Sequence, residues 1–312
     1  MDYGQPSSVF CQPEPAPMPP TFSSPRVVCR PALPTDRADV LEFTKFIWDG
    51  HDYIRFVWGE WFDDPNGILV AAEYGGHCVG IAKVSLSAPE QWWLHGFRVD
   101  PKFQDLKIGS HIHAYIDGWW LEHGDGIVRL MTSSKRVKVH HLCEKLGYAK
   151  TLEMKELEAP VLDEPCDTFR LVQTDEISAV MEFALASPYL TSSHGLFDIG
   201  WEVLQLTQDI LTSIQRQGNA YWWRAHKGLL LTWNHDNEEG NVLGIGLLAC
   251  ALEDFPGLLR DVRCLAKQRG DVGVFWIAPL TAEILSAAES AGYIPHKSHD
   301  IFLSEKRHPQ HP

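Results

Sequence analysis

The residues best suited to chemistry lie in one stretch, Trp92–Ser110, which reads WWLHGFRVDPKFQDLKIGS. Its first part, Trp92–Val99, predicts a strand, and Asp100 with Pro101 predicts a turn. A loop containing a glycine then opens a helix predicted over Ser110–Glu122. A helix N-terminus directs free backbone N–H groups and partial positive charge at one point, which suits an anionic pyrophosphate. The stretch therefore predicts a phosphate-binding loop.

Basic residues accompany this loop. The backbone N–H groups of Leu106 through Ser110 are the candidate phosphate donors, and Lys107 adds an ammonium among them. Further cations nearby are Lys102, Lys135, Arg136 and Lys138. A local basic cluster in a chain of net charge −14 favours a polyanionic ligand, although charge runs also occur on plain solvated surfaces.

Composition limits the other possibilities. The 312 residues suffice for two domains, and the net charge of −14 argues against contact with nucleic acid or an anionic membrane. The seven cysteines show neither metal-site nor disulfide spacing, which predicts reduced thiols and a cytoplasmic location. The N-terminus resembles no secretory signal, and no apolar run is long enough for a membrane span. The paired histidines are one or two residues apart, so we expect no metal site.

The chain divides into a tail and two similar halves. Residues 1–25 are rich in Pro and Ser and are predicted to be a disordered tail. Residues 26–158 predict the element order β-α-α-β-β-β-α-β-α-β, with Gly75 and Gly76 marking a hairpin. An aromatic segment with a helical middle spans 49–66. The first half is thus predicted to be a single mixed α/β unit.

Residues 166–306 look like a weaker second copy. They predict a strand at FRLVQ, a long helix over 200–217, a hairpin around the acidic turn 235–240, and a closing strand IFLSEK. The Gly-Tyr pair at Gly147 and Tyr148 recurs at Gly292 and Tyr293. Where a phosphate loop should lie, this half offers only FPGLLR. We therefore expect the second half to be a degenerate copy that does not bind the phosphate-bearing ligand and that forms a wall of the binding pocket.

The strand Leu94–Pro101 and the loop Gln104–Gly109 resemble the acetyl-CoA-binding core of the GNAT acetyltransferase superfamily. The resemblance implies an α/β fold with a mixed sheet, here as tandem GNAT folds, and acetyl-CoA as co-substrate. Main-chain groups on a strand that splays from its neighbour would hold the pantetheine arm. The implied acetyl-CoA-binding residues are Phe97, Arg98, Val99, Gln104, Lys107, Ile108, Gly109, Ser110 and Arg136. Lys107 replaces a family glycine, and we expect it to have a negative φ and to contact a phosphate.

Three residues are candidates for proton transfer. His95 lies beside the implied splay and could accept a proton from an ammonium, and Glu60 is the competing base. Cys143 stands where the family often has a tyrosine that protonates the leaving thiolate, and a thiol has a pKa of about 8.5. Alternatively, His95 is a hydrogen-bonded residue of the core and Cys143 is a small buried residue, and neither takes part in catalysis.

The aromatic segment corresponds to the variable acceptor-binding region of the family, with Asp52, Tyr53 and Trp58 as candidate substrate-binding residues. Its sequence, together with the strand after Gly96, resembles more weakly the vertebrate enzymes that acetylate the α-amine of free histidine. The resemblance predicts an N-acetyltransferase that moves an acetyl group to a small-molecule amine in a ternary complex. The alternatives are a non-catalytic acyl-CoA-binding or regulatory protein and a protein N-acetyltransferase. The sequence leaves the oligomeric state open.

Overall fold

The computed structural model describes residues 26–45, 47, 52–237 and 240–310, without the side chains of 104–105 and 235–237. The predicted tail at 1–25 and two residues of the acidic turn, 238–239, lie outside the described residues. So do Trp48 and His51 of the aromatic segment.

The first half forms the predicted order of elements. Its strands are β1 Val28–Pro31, β2 Gly67–Tyr74, β3 His77–Ala88, β4 Gln91–Val99, β5 Ile127–Ser133 and β6 Ala149–Pro160. Its helices are α1 Asp36–Thr44, α2 Ile54–Asp63, α3 Ile108–His123 and α4 Val137–Lys145. Within the described part of the chain, the order β1-α1-α2-β2-β3-β4-α3-β5-α4-β6 confirms the sequence-based prediction for this half.

The second half repeats the pattern with insertions. Its strands are β7 Phe169–Leu171, β8 Leu196–Asp198, β9 Val203–Gln205, β10 Ala220–Trp223, β11 Gly228–Asn237, β12 Gly240–Cys250, β13 Gly273–Pro279, β14 Ile294–Pro295 and β15 Ile301–Arg307. Its helices are α5 Ile177–Leu185, α6 Pro188–Ser192, α7 Gln208–Arg216, α8 Phe255–Arg269 and α9 Ala282–Ser290. None of the described helices is long and apolar enough to cross a membrane.

The long helix predicted over 200–217 is wrong in its first part. β8 and β9 form a two-stranded hairpin there, and α7 begins only at Gln208. The hydroxyl of Thr207 accepts a hydrogen bond from the N–H of Ile210, a cap that fixes the start of the helix. The apolar residues before it alternate as strands because they cover the large sheet.

The two halves share one sheet, because strands of one half pair with strands of the other. The strand order is β1-β2-β3-β4-β5-β15-β6-β13-β12-β11-β10-β7. β15 lies between β5 and β6, with Ile301 opposite Ser133 on one side and Met154 on the other. β6 in turn pairs with β13. The last strand of the chain therefore completes the first half of the sheet, whereas the sequence places it at the close of the second.

Buried apolar clusters hold the helices on the sheet. α3 and α4 pack on one face of the first half through a cluster that includes Ile112 and Cys143. α1 and α2 pack through a second cluster, which includes Val40 and Trp58. A further cluster joins residues of both halves, namely Trp93, Leu152, Met154, Leu196, Val203, Ile277, Ile301 and Leu303. This cluster makes the two halves one packed unit around β15.

Candidate active site

β4 and β5 separate after a short paired stretch. Gln91–Trp93 pairs in parallel with Ile127–Arg129, and β4 has no further pair with β5 among the described residues. β4 carries a bulge at Gly96 and Phe97, and a bulge bends its strand. Gly96 has a φ of +68°, a conformation that favours glycine. Beyond Trp93, the main-chain groups of β4 up to Val99 therefore have no partner strand on the side of β5 among the described residues.

Helix α2 packs against the bulge of β4. A Cβ added at Gly96 would lie 2.3 Å from Cζ3 of Trp61, so the absence of a side chain lets the indole ring lie on the bulge. The Trp61 ring also contacts His95, with ring centroids 4.6 Å apart. Gly96 thus allows both the bend of β4 and the close approach of helix α2.

The loop after β4 is a short 3₁₀ turn over Pro101–Leu106 that ends at Lys107. Lys107 has φ +55° and ψ +27°, the left-handed conformation, so the predicted negative φ is wrong. Its carbonyl accepts hydrogen bonds from the N–H groups of Ser110 at 2.9 Å and His111 at 3.1 Å, which begin α3. The conformation follows from this junction, and it costs a non-glycine residue roughly 1–2 kcal/mol.

The start of α3 fits a phosphate ligand. The N–H groups of Ile108 and Gly109 lie in the first turn, where a helix supplies no acceptor. A Cβ added at Gly109 would meet no described neighbouring atom within 4 Å, so the space there is open. Ile108 fixes the helix position, because a Cβ on Gly80 of β3 would lie only 2.9 Å from its Cγ2. The predicted loop therefore has the geometry of an anion site.

The basic residues converge on the same end of the sheet. Lys102 and Lys107 are exposed beside the start of α3, and Lys135, Arg136 and Lys138 are exposed at the start of α4. α3 follows β4 and α4 follows β5, and these two strands are parallel, so both helices begin at one edge. The structure thus places both groups of cations at the same edge of the sheet. The side chain of Gln104 lies outside the described residues.

The corresponding end of the second half differs. α8 begins directly after a three-residue turn, and Asp254 and Phe255 have ordinary negative φ values of −89° and −53°. Glu253 and Asp254 precede the helix, and Pro256 has no N–H to donate. Negative charge at a helix N-terminus competes with a phosphate for the same dipole. The start of α8 therefore lacks the features that suit the start of α3 to a phosphate, and the absence of CoA binding by the second half stays a prediction.

His95 lies in a buried polar network. Its Nε2 is 3.3 Å from the hydroxyl of Ser85. Burial, together with the nearby Lys83 ammonium, lowers the pKa of His95 to about 3, so the imidazole is neutral and weakly basic at pH 7. Lys83 is fully buried, and its Nζ lies 2.5 Å from Oδ2 of Asp64. Sequence reasoning missed this ion pair, since Lys83 belongs to no motif. The competing base Glu60 is exposed on α2.

Cys143 lies in the core between α4 and α3, with only 2% of its surface exposed. Burial raises the pKa of its thiol to about 11, so it holds its proton more tightly than an exposed thiol. This placement supports the alternative of a small buried residue. Nearby, the rings of His113 and Tyr148 are tilted against each other with centroids 5.2 Å apart, and neither Nε2 of His113 nor the hydroxyl of Tyr148 has a hydrogen-bond partner among the described residues.

The candidate acceptor residues have different surroundings. Asp52 accepts hydrogen bonds from Nε of Arg98 at 2.5 Å and from the N–H of Ile54 at 3.0 Å, so its carboxylate joins β4 to α2 inside the protein. Trp58 is buried in the core below α2. Tyr53 is partly exposed and edge-on to Trp61, with ring centroids 5.9 Å apart. Of the three, only Tyr53 borders open space.

The shared sheet and the helices packed on it have the arrangement of two GNAT folds in tandem. Residues 36–148 match the family model described as Acetyltransferase (GNAT) family. A GCN5-related N-acetyltransferase from Sphaerobacter thermophilus is similar in structure, with a TM-score of 0.62, 15% identity, and coverage of 92% of this chain and 96% of that one. These findings confirm the resemblance to the GNAT superfamily that the strand and loop indicate.

The tandem arrangement also has a structural counterpart. A tandem GNAT protein from the clavulanic acid biosynthesis pathway has a TM-score of 0.57 and 11% identity, and the match covers 90% of this chain and 98% of that one. No curated protein sequence matches this chain significantly. The prediction of tandem GNAT folds with a mixed sheet is therefore confirmed at the level of the fold.

The left-handed Lys107 gives a direct test of the loop. We expect Lys107→Ala to weaken CoA binding by about 1–2 kcal/mol, because it removes a partly exposed charge-assisted contact and keeps the strained backbone. The loss should shrink as salt rises. Lys107→Gly should bind CoA with an affinity between those of the wild type and the Ala variant, and should be about 1 kcal/mol more stable than the Ala variant in urea. Calorimetry and urea unfolding measure both effects; tighter CoA binding by the Ala variant would show that the lysine blocks the site.

Proposed function

We propose that this protein is an acetyl-CoA-dependent N-acetyltransferase that acts on a small-molecule amine in a ternary complex. The observation that carries the proposal is the gap between β4 and β5, which opens beside the basic N-terminus of α3. Acetyl-CoA supplies the acetyl thioester. Main-chain groups of Phe97 to Val99 would hold its pantetheine arm, and the N–H groups of Ile108 and Gly109 would bind its phosphates.

The acceptor side favours a compact amine. Trp61 covers the bulge of β4, and Tyr53 borders the space beside it. The segment before β15 reaches the end of β5: the N–H of Ser134 donates to the carbonyl of Asp300 at 2.8 Å, and the N–H of Asp300 donates to the hydroxyl of Ser134 at 3.3 Å. A site bordered by both halves would suit a small ligand better than a protein segment. Free histidine, suggested by the weaker resemblance, is one such amine.

His95 would position the amine rather than store its proton. A neutral imidazole beside the bulge of β4 can accept a hydrogen bond from the N–H of the attacking amine, and the proton that the nitrogen loses as the C–N bond forms would go to water. We propose the cytoplasm as the compartment, supported by the free thiols of the six cysteines among the described residues.

A non-catalytic acyl-CoA-binding protein is the second candidate. It is favoured by Lys107, which holds a strained conformation where the family has glycine, and by the buried position of Cys143. A buried Cys143 thiol would weaken turnover without removing the CoA site. The two candidates therefore differ in catalysis and not in ligand.

A thiol-release assay separates them. The full chain would be incubated with acetyl-CoA and a panel of amines that includes histidine, other amino acids and polyamines. We expect amine-dependent release of free CoA for at least one small amine, and acetylated product of matching mass. Tight CoA binding without release for any amine would support the non-catalytic protein, whereas release only with peptides would support a protein acetyltransferase.

A further inference from the structure

A cavity of about 460 Å³ lies where β6 of the first half meets β13, the segment after β14 and the tip of the β8–β9 hairpin of the second half. It uses none of the residues assigned to acetyl-CoA or to the acceptor. Its walls combine carboxylates with aromatic rings, chiefly Glu156, Glu158, Trp201, Trp233 and Phe275. This combination is the one that recognises organic cations.

Glu156 is the most unusual group of the cavity. Its side chain is fully buried, and neither carboxylate oxygen accepts a hydrogen bond from the described residues. Its nearest charged partner is Nζ of Lys297, 3.6 Å from Oε1, which is longer than a normal hydrogen bond. A buried carboxylate without hydrogen bonds is costly, and a desolvated cation placed beside it offsets that cost.

The aromatic walls are held in place by unusual backbone geometry. Trp201 has a φ of +65° and is 38% exposed, a costly combination for a large apolar side chain. Its N–H donates to Oδ1 of the buried Asp198 at 3.0 Å, which fixes the hairpin tip. Trp233 lies flat on Gly244, where an added Cβ would meet the indole at 2.2 Å. The Trp233 ring therefore packs on the sheet at Gly244, and the tip of the β8–β9 hairpin positions the Trp201 ring.

Lys297 shows what kind of group the cavity accepts. Its Nζ lies 5.7 Å from the centre of the Trp201 ring as well as close to Glu156. The residue belongs to a bend rather than a helix or strand, and its side chain is nearly half exposed. The ammonium of the chain itself therefore occupies the border of the site, in contact with the same two groups that a free ammonium would use.

We infer that this cavity is a binding site for a small organic ammonium ligand, with Glu156 as its counter-ion and the Trp201, Trp233 and Phe275 rings as its walls. Lys297 competes with the ligand for Glu156. The inference does not depend on acetyl transfer, because the site is tested by binding alone.

Choline is a suitable probe, because 3,3-dimethylbutan-1-ol has the same shape without the charge. Calorimetry with the full chain should show choline binding at least tenfold tighter than the alcohol. Lys297→Ala should tighten choline binding about tenfold by removing the competitor. Glu156→Gln keeps the shape of the side chain and should weaken binding at least tenfold. Lys267→Ala, another partly exposed lysine with a carboxylate nearby, is the matched control and should bind as the wild type does.

A second variant guards against a folding defect at Glu156. Trp201→Gly suits the left-handed turn and removes only the ring, and it should also weaken choline binding severalfold. Equal affinity for choline and the alcohol would overturn the inference. So would unchanged binding by both the Glu156→Gln and Trp201→Gly variants, or no choline binding by the Lys297→Ala variant at millimolar concentrations. Binding seen only in the Lys297→Ala variant would support it, since the lysine then blocks the site.

Discussion

Gly109→Pro is expected to abolish CoA binding by the whole chain. Proline removes the N–H of the second residue of α3, which lies in the first turn and donates to no helical carbonyl. The helix should therefore survive while the phosphate site loses a donor and gains a ring in the space above the loop. Calorimetry with CoA, accompanied by a thermal melt, measures both properties.

Gly109→Ala is the matched control. It retains the N–H, and its Cβ meets no described neighbouring atom within 4 Å, so it should fold and keep most of the affinity. Because the second half lacks a comparable loop, no residual CoA site should remain in the Pro variant. Near-normal affinity in the Pro variant would place the phosphates elsewhere, and one remaining site per chain would assign CoA binding to the second half.

A fragment of residues 26–165 should fail to fold cooperatively. In the full chain β15 fills the position between β5 and β6, and it pairs along β5 from Ile301 opposite Ser133 to Arg307 opposite Ile127. Without it the hydrogen bonds of β5 on that side are lost, and the core loses the buried side chains of Ile301 and Leu303. Each such side chain contributes about 1.5–3 kcal/mol, which is a large share of the stability of a small domain. Circular dichroism and urea unfolding would show the loss.

Two controls make this result specific to β15. A chain that lacks only residues 1–25 should unfold as the full chain does. Co-expression of 26–165 with 166–312 should restore a 1:1 complex that binds CoA, since the second fragment carries the missing strand. A monomeric 26–165 fragment with a sharp unfolding transition and normal CoA affinity would show that β15 is dispensable.

Much of the first half could be predicted from local patterns. Period-two and period-three-to-four spacing of apolar residues sets strands and helices, and Gly96 in a strand signals a bulge because glycine otherwise weakens a strand. The prediction of a phosphate-binding loop rests on the same stretch. Residue patterns cannot show how buried a group is, however. The low pKa of His95, the core position of Cys143 and the pairing of Asp52 with Arg98 all depend on distant parts of the chain.

The sequence by itself determined the order of elements in the first half, because that order depends on neighbours along the chain. Only the tertiary structure decided where β15 lies, since an alternating strand fits between any two partners of suitable register. It also decided the left-handed conformation of Lys107, which the junction between β4 and α3 imposes. The hairpin that carries Trp201 was decided in the same way, because packing on a sheet outweighs the weak helical preference of isolated residues.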